Sequence, residues 1–115
     1  MLTTLKNKKI FVASEAVDFR LGLNGLAEIV MEDNRSHLHD GSIYVFYNKE
    51  KNKIKCLTWD TNGLVLYYKR LDNLKFKLKF LTERRETISY EELELLLAGM
   101  NPTETKRHLE VLNNY

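Results

Sequence analysis

Residues 54–71 read I-K-C-L-T-W-D-T-N-G-L-V-L-Y-Y-K-R-L, two strand-like runs joined at Asn62-Gly63. Asn-Gly readily supplies the positive φ angles of a tight two-residue turn, so the stretch predicts an antiparallel hairpin of Lys53–Trp59 and Leu64–Arg70. Trp59-Asp60 enters the turn, and Lys69-Arg70 ends the return strand. Upstream, Ser42–Tyr47 is a strand run connected through the charged turn N-K-E-K-N. Downstream, Asp72-Asn73 marks another turn, and Lys75–Phe80 alternates. Phe76, Leu78 and Phe80 share one face, and Lys75, Lys77 and Lys79 the other, which predicts a half-buried strand near a sheet edge.

The flanks add one short strand and two helices. Lys9–Val12 is a strand candidate, and a helix entered near Asp18 places Phe19, Leu23, Leu26 and Val30 on one stripe. Asp18 is suited to cap its first turn, while Gly22 and Gly25 inside a helix suggest close approach to another element. Residues 33–41 read as a polar loop. Ser89 and Glu92 form a capping box, with Ile88 and Leu93 in staple positions. Leu93, Leu96, Leu97 and Met100 make an apolar stripe before the exit at Gly99 and Pro102. The expected fold is α+β: an antiparallel meander of four or five strands with two main helices on one face. Residues 1–102 form a single domain, and 103–115 a tail or short helix.

Composition narrows the function classes. Apolar residues make up 43% and charged residues 30% of the 115-residue chain, as in a soluble globular protein able to bury a core. No run approaches the length of a membrane span, and the N-terminus lacks the apolar segment of a secretory signal. The lone Cys56 reads as a buried, reduced thiol of a cytoplasmic protein. The net charge is +2, but residues 49–79 hold nine Lys or Arg against three acidic residues, and residues 80–115 are acidic. Basic middle and acidic end predict a polar charge distribution.

The residues themselves bear on several chemistries. His37-Leu38-His39-Asp40 groups metal-binding side chains, yet the four spaced ligands of structural zinc are absent. Asp18 and Asp60 are the carboxylates in the most distinctive settings. Brought together on a metal they could act on phosphodiesters, although cap and turn roles account for each. No phosphate-loop, H-E-x-x-H or G-x-S-x-G motif occurs. Nucleic-acid contact has more support: lysines at 49, 51, 53 and 55 precede Lys69, Arg70, Lys75, Lys77 and Lys79, with Tyr44, Tyr47, Trp59, Tyr67 and Tyr68 among them. The competing reading is a protein partner, because strands 43–47 and 64–68 are apolar on both faces and need cover from this chain, a second copy or another protein.

The segments D-F-R-L-G-L-N-G-L at 18–26, I-Y-V-F-Y-N at 43–48, W-D-x-x-G-x-x-L-x-x-K-R-L at 59–71 and I-S-Y-E-E-L-E-L-L-L-A-G-M at 88–100 occur in this order. In this the chain resembles the TnpB-type (Orf-two-like) accessory proteins of the insertion sequence sixty-six family of bacterial transposons. Asp18, Arg20, Gly22, Gly25, Trp59, Asp60, Gly63, Lys69, Arg70 and Leu71 match signature positions of that family. The family commonly carries Trp-Pro after the strand containing Phe76, where this chain reads Lys77-Leu78-Lys79-Phe80. The resemblance implies a small protein encoded beside a transposase and needed for efficient transposition.

Together these readings predict a non-catalytic accessory protein without a cofactor, assisting the transposase of the same element by binding DNA, the transposase or both. The expected phosphate contacts are Lys53, Lys55, Lys69, Arg70, Lys75, Lys77 and Lys79, with Arg20 supporting or joining them. Self-association belongs to the same expectation. The alternative is a protein–protein adaptor with no direct nucleic-acid contact.

Overall fold

The computed structural model describes residues 7–33, 38–78 and 87–100. The elements are β1 (Ile10–Val12), α1 (Leu23–Met31), a single 3-10 turn (Leu38–Asp40), β2 (Ile43–Tyr47), β3 (Lys53–Asp60), β4 (Gly63–Arg70), β5 (Thr87–Ile88) and α2 (Tyr90–Leu97). The strands form one mixed, mostly antiparallel sheet in the order β4-β3-β2-β1-β5, so the α+β class holds. Three strands of the expected four- or five-stranded meander make one half of it, ending at the β4 edge: β2, β3 and β4 are consecutive antiparallel neighbours. β1 lies parallel to β2, with Ile10 opposite Ile43 and Val12 opposite Val45. A parallel pair needs a long crossover, and the segment carrying α1 supplies it.

The helices do not share a face. Ile10, Val12, Ile43, Val45, Ile54 and Cys56 pack with Leu93, Leu96 and Leu97 of α2. The alternate residues Phe11, Tyr44, Phe46 and Leu57 pack with Leu26, Ala27 and Val30 of α1. Successive strand residues point to opposite faces, so these two clusters are the two sides of one sheet. β1 and β2 are buried at every position, a pattern that demands cover on both sides. The β1–β2 crossover lays α1 over one side. The chain leaving β4 runs under the other, where Phe76 and Leu78 join the α2 cluster. A single-sided arrangement of helices would have left half of this apolar surface in water.

Local chemistry was only partly as expected. Ser89 caps α2 as the capping box requires: its Oγ accepts from the Glu92 N–H at 3.1 Å, and Glu92 Oε1 accepts from the Ser89 N–H at 3.0 Å. Ile88 and Leu93 are both buried beside it, whereas Met100 is exposed. α1 begins at Leu23, not near Asp18, with Gly22 as N-cap and no side-chain cap. This later start removes Gly22 from the helix interior. A Cβ on Gly25 would lie 2.7 Å from Leu21 Cδ2, so the close approach there is to the chain entering the helix. In the β3–β4 hairpin the left-handed residue is Thr61, at φ +50°, while Gly63 is already the first residue of β4, paired with Asp60. Residues 75–78 keep the alternating burial that was expected but form no ladder; the Phe76 N–H instead donates to the Lys51 carbonyl at 2.7 Å. Lys79, Phe80 and the C-terminal segment 103–115 lie outside the described residues.

Cys56 sits in the middle of β3 among these apolar side chains, and burial pushes its thiol up to about 12. Native protein at pH 8 should therefore resist iodoacetamide, with full labelling only after denaturation, as read by intact-mass spectrometry. Rapid labelling of the native chain would contradict the placement of Cys56 inside the sheet, between β2 and β4.

Candidate nucleic-acid interface

Three segments meet at the end of the sheet where β3 begins and β4 ends. The first is the turn after β2, organised by the buried Asn48. Its Oδ1 accepts from the N–H groups of Asn52 (3.1 Å) and Lys53 (3.0 Å), and its Nδ2 donates to Asn52 Oδ1 at 2.6 Å and Glu50 Oε2 at 3.2 Å. Lys51 completes the turn at φ +63°. The second segment is the end of β4, tied on by the Leu71 N–H donating to the Asn52 carbonyl at 2.8 Å. The third is the stretch around Lys75 and Lys77, tied on through Phe76 and Lys51. Lys49, Lys51, Lys53, Lys69, Arg70, Lys75 and Lys77 are thereby gathered at one end, with Glu50 and Asp72 among them.

Strand alternation divides this set. Lys53 is opposite Arg70 and Lys55 opposite Tyr68, which puts these four on the α1 side. Lys69, opposite Ile54, belongs to the α2 side. Arg70 forms an exposed ion pair with Asp72 at 3.4 Å. Lys49 and Lys51, absent from the predicted contact residues, project from the turn beside Lys53 and are exposed.

Lys55 is the exception among the expected phosphate contacts. It is only 5% exposed, and its Nζ donates to the backbone carbonyls of Phe19 (3.0 Å) and Leu21 (2.8 Å). The same ammonium lies 4.9 Å from the Phe19 ring centroid and 5.3 Å from that of Tyr68. Burial, reinforced by Lys53, pushes its pKa below the ordinary lysine value. Two carbonyls and two ring faces offset that penalty and hold the charge in place. Lys55 is an anchor turned inward, unsuited to reaching a phosphate.

What it anchors is the D-F-R-L-G segment. Phe19 meets Tyr68 edge-on, with ring centroids 6.0 Å apart, and Val17, Phe19 and Leu21 pack onto the α1-side cluster. Asp18 forms a side-chain turn: Oδ1 accepts from the Arg20 N–H at 2.9 Å, and both carboxylate oxygens accept from the guanidinium, the shortest contact being 2.6 Å. These two side chains stand in water, with Arg20 92% exposed. The Arg20 hydrogen bonds hold the Asp18 carboxyl down at about 2. Arg20 and Asp18 line an open cleft of about 390 Å³ with Lys49, Lys53 and Tyr68.

Asp60 is at the opposite end of β3, seven residues or roughly 23 Å along the strand from Lys53. It is exposed in the hairpin, so the fold does not bring the Asp18 and Asp60 carboxylates together. Trp59, half-buried, meets His39 edge-on at 4.4 Å. Among the described residues no group of three His, Cys, Asp or Glu side chains could hold a metal ion, and His37 lies outside them. No helix among the described residues is long and apolar enough to cross a membrane.

Two measurements test this geometry. Lys55→Met keeps the stem but leaves two carbonyls without their donor, and should lower the unfolding free energy by about 2 kcal/mol or more in urea titrations. A change below about 0.5 kcal/mol would show that the anchor is dispensable. In an NMR titration the Asp18 carboxyl should ionise near 2, and Arg20→Ala should return it toward 3.8. Because the folded value is depressed, the stabilisation from this pair is complete above the unfolded value and is lost as pH falls through about 2.

The sequence model described as IS66 Orf2-like protein matches residues 8–107. The uncharacterized protein y4jC of Sinorhizobium fredii is 35% identical over 107 residues, covering 93% of this chain and 92% of its own length. The uncharacterized protein y4hO of the same organism is 31% identical over 114 residues, covering 96% and 99%. No solved structure matches. With nearly the whole domain matched, including the D-F-R-L-G segment and the hairpin, this chain belongs to the IS66 Orf2-like family of transposition-associated accessory proteins.

Proposed function

We propose that this protein assists its element's transposase as a non-catalytic DNA-binding accessory subunit, holding duplex phosphates at the basic end of the sheet. The observation that supports the reading is the convergence of Lys49, Lys51, Lys53, Lys75 and Lys77 on one end, through the hydrogen bonds that join the β2–β3 turn to the segment after β4. Five lysines gathered at one end, against Glu50 and Asp72, suit a polyanion, whose condensed counterions are released on binding. Arg20 and Arg70 flank the surface, each already next to a carboxylate. Lys69 takes the other side of the sheet, and Lys55 serves as the anchor that positions Arg20.

A second reading, docking on the transposase itself, is favoured by β4. It is an outer strand of the sheet, with Val65 exposed, and the apolar Leu74 stands exposed beside Lys75. Capture of the transposase from nuclease-treated mixtures by this protein, with no affinity for DNA, would select that reading.

Fluorescence anisotropy with a 20-base-pair duplex tests the first. With four to six phosphates engaged, affinity should fall on the order of 10²–10³-fold between 50 and 200 mM salt. Replacing Lys49, Lys51, Lys53 and Lys75 together by Gln should flatten the log–log salt slope by about 3.6. Undetectable binding at low salt, or binding indifferent to salt, would reject phosphate contact.

A further inference from the structure

Burial sorts the aromatic residues that the sequence interleaves with the lysines. Tyr44 and Tyr47 are buried, and Tyr67 packs partly buried against the α2-side core. Trp59 lies at the far end of β3 against His39. Tyr68 is the one aromatic side chain among the described residues that is exposed, at 48%, and it lines the cleft with Arg20, Lys49 and Lys53. Tyr68 meets Lys55 and Phe19 from within, yet about half of it stays open to solvent at the rim of a basic surface.

The surroundings of that ring are built. Lys55 Nζ stands 5.3 Å from its centroid and Phe19 abuts it edge-on, so the ring is held by a buried anchor. Lys53 pairs with Arg70, two residues beyond Tyr68 on the same face, which makes Lys53 and Tyr68 diagonal neighbours about 7–8 Å apart. A stacking surface and an ammonium are thus placed side by side, as a base and its own phosphate are. The two carboxylates of the cleft are already engaged: Asp18 by Arg20, and Glu50 by the Asn48 amide. Lys49 and Lys53 are in no ion pair among the described residues.

We propose that this cleft seats one unpaired nucleotide of single-stranded DNA, its base stacked on Tyr68 and its phosphate held by Lys49, Lys53 and Arg20. The inference rests on the DNA-binding reading and adds to it the form of DNA recognised. A paired base offers its face to its neighbours in the stack, so duplex DNA uses the lysines of the basic end but not the ring. Single-stranded DNA uses both, and base–aromatic stacking is largely indifferent to sequence. The protein accordingly prefers a frayed, gapped or displaced strand over intact duplex.

The test compares a labelled 12-nucleotide single strand with the blunt duplex of the same sequence, by anisotropy at equal salt, using the full chain. The wild-type protein should bind the single strand roughly 5-fold or more tighter, the lower end of what one stacked base contributes. Tyr68→Leu, with its fold checked by circular dichroism, should abolish that preference while leaving duplex affinity within about 2-fold. Tyr68→Trp should restore it. Salt-dependent duplex binding with no preference for the single strand, or a preference that survives Tyr68→Leu, overturns the stacking site and leaves the accessory DNA-binding reading standing. Failure to bind either form overturns both.

Discussion

The ammonium of Lys55 is the constraint on which the rest of this site depends. A lysine 5% exposed in the middle of a sheet is tolerable only if its charge is satisfied, and here two backbone carbonyls and two aromatic faces do so. Both carbonyls belong to the segment that leads into α1. Since α1 has no side-chain cap, this bond, together with the packing of Phe19 and Leu21, fixes where the chain turns into the helix. The same contact leaves Asp18 and Arg20 in water at the rim, facing the lysines of the β2–β3 turn. Removing the ammonium would therefore disturb a helix start, an aromatic pair and the position of an arginine at once.

Local rules carried much of the fold. The β2-β3-β4 part of the meander, the Ser89 capping box and the Ile88–Leu93 staple rest on neighbouring residues, and they stand as the sequence pattern required. Topology did not follow from such rules. The parallel pairing of β1 with β2 joins residues more than thirty positions apart, and nothing in I-F-V alone distinguishes a parallel neighbour from an antiparallel one. The two-sided burial of β2 was the available signal that the helices lie on opposite faces. Asp18 closes its own turn and caps no helix, because a carboxylate two residues before an arginine can accept from that residue's N–H as readily as from a helix N-terminus.

The candidate site was legible in composition more than in arrangement. The cluster of lysines along 49–79 was plain, and strand alternation already parts Lys69 from Arg70, but sequence could not show that Lys55 turns inward. Asn48 was visible only as the last residue of the I-Y-V-F-Y-N run and the first of the N-K-E-K-N turn. Its side chain proves to be the organiser of the turn that presents Lys49, Lys51 and Lys53. Signature residues accordingly separate by physical role. Asp18 and Arg20 shape the rim, Gly22 and Gly25 the helix entry, and Leu71 packs against the core beneath the β2–β3 turn.

On the proposed reading, this division makes one end of the molecule the working surface and the other a structural hairpin. The most direct measurement is a map of backbone amide chemical shifts during titration with DNA. Perturbations concentrated in residues 18–20, 49–53, 68–70 and 75–77 are the predicted result. Perturbations centred on residues 38–41 and 59–63, or none at saturating DNA, would contradict the account.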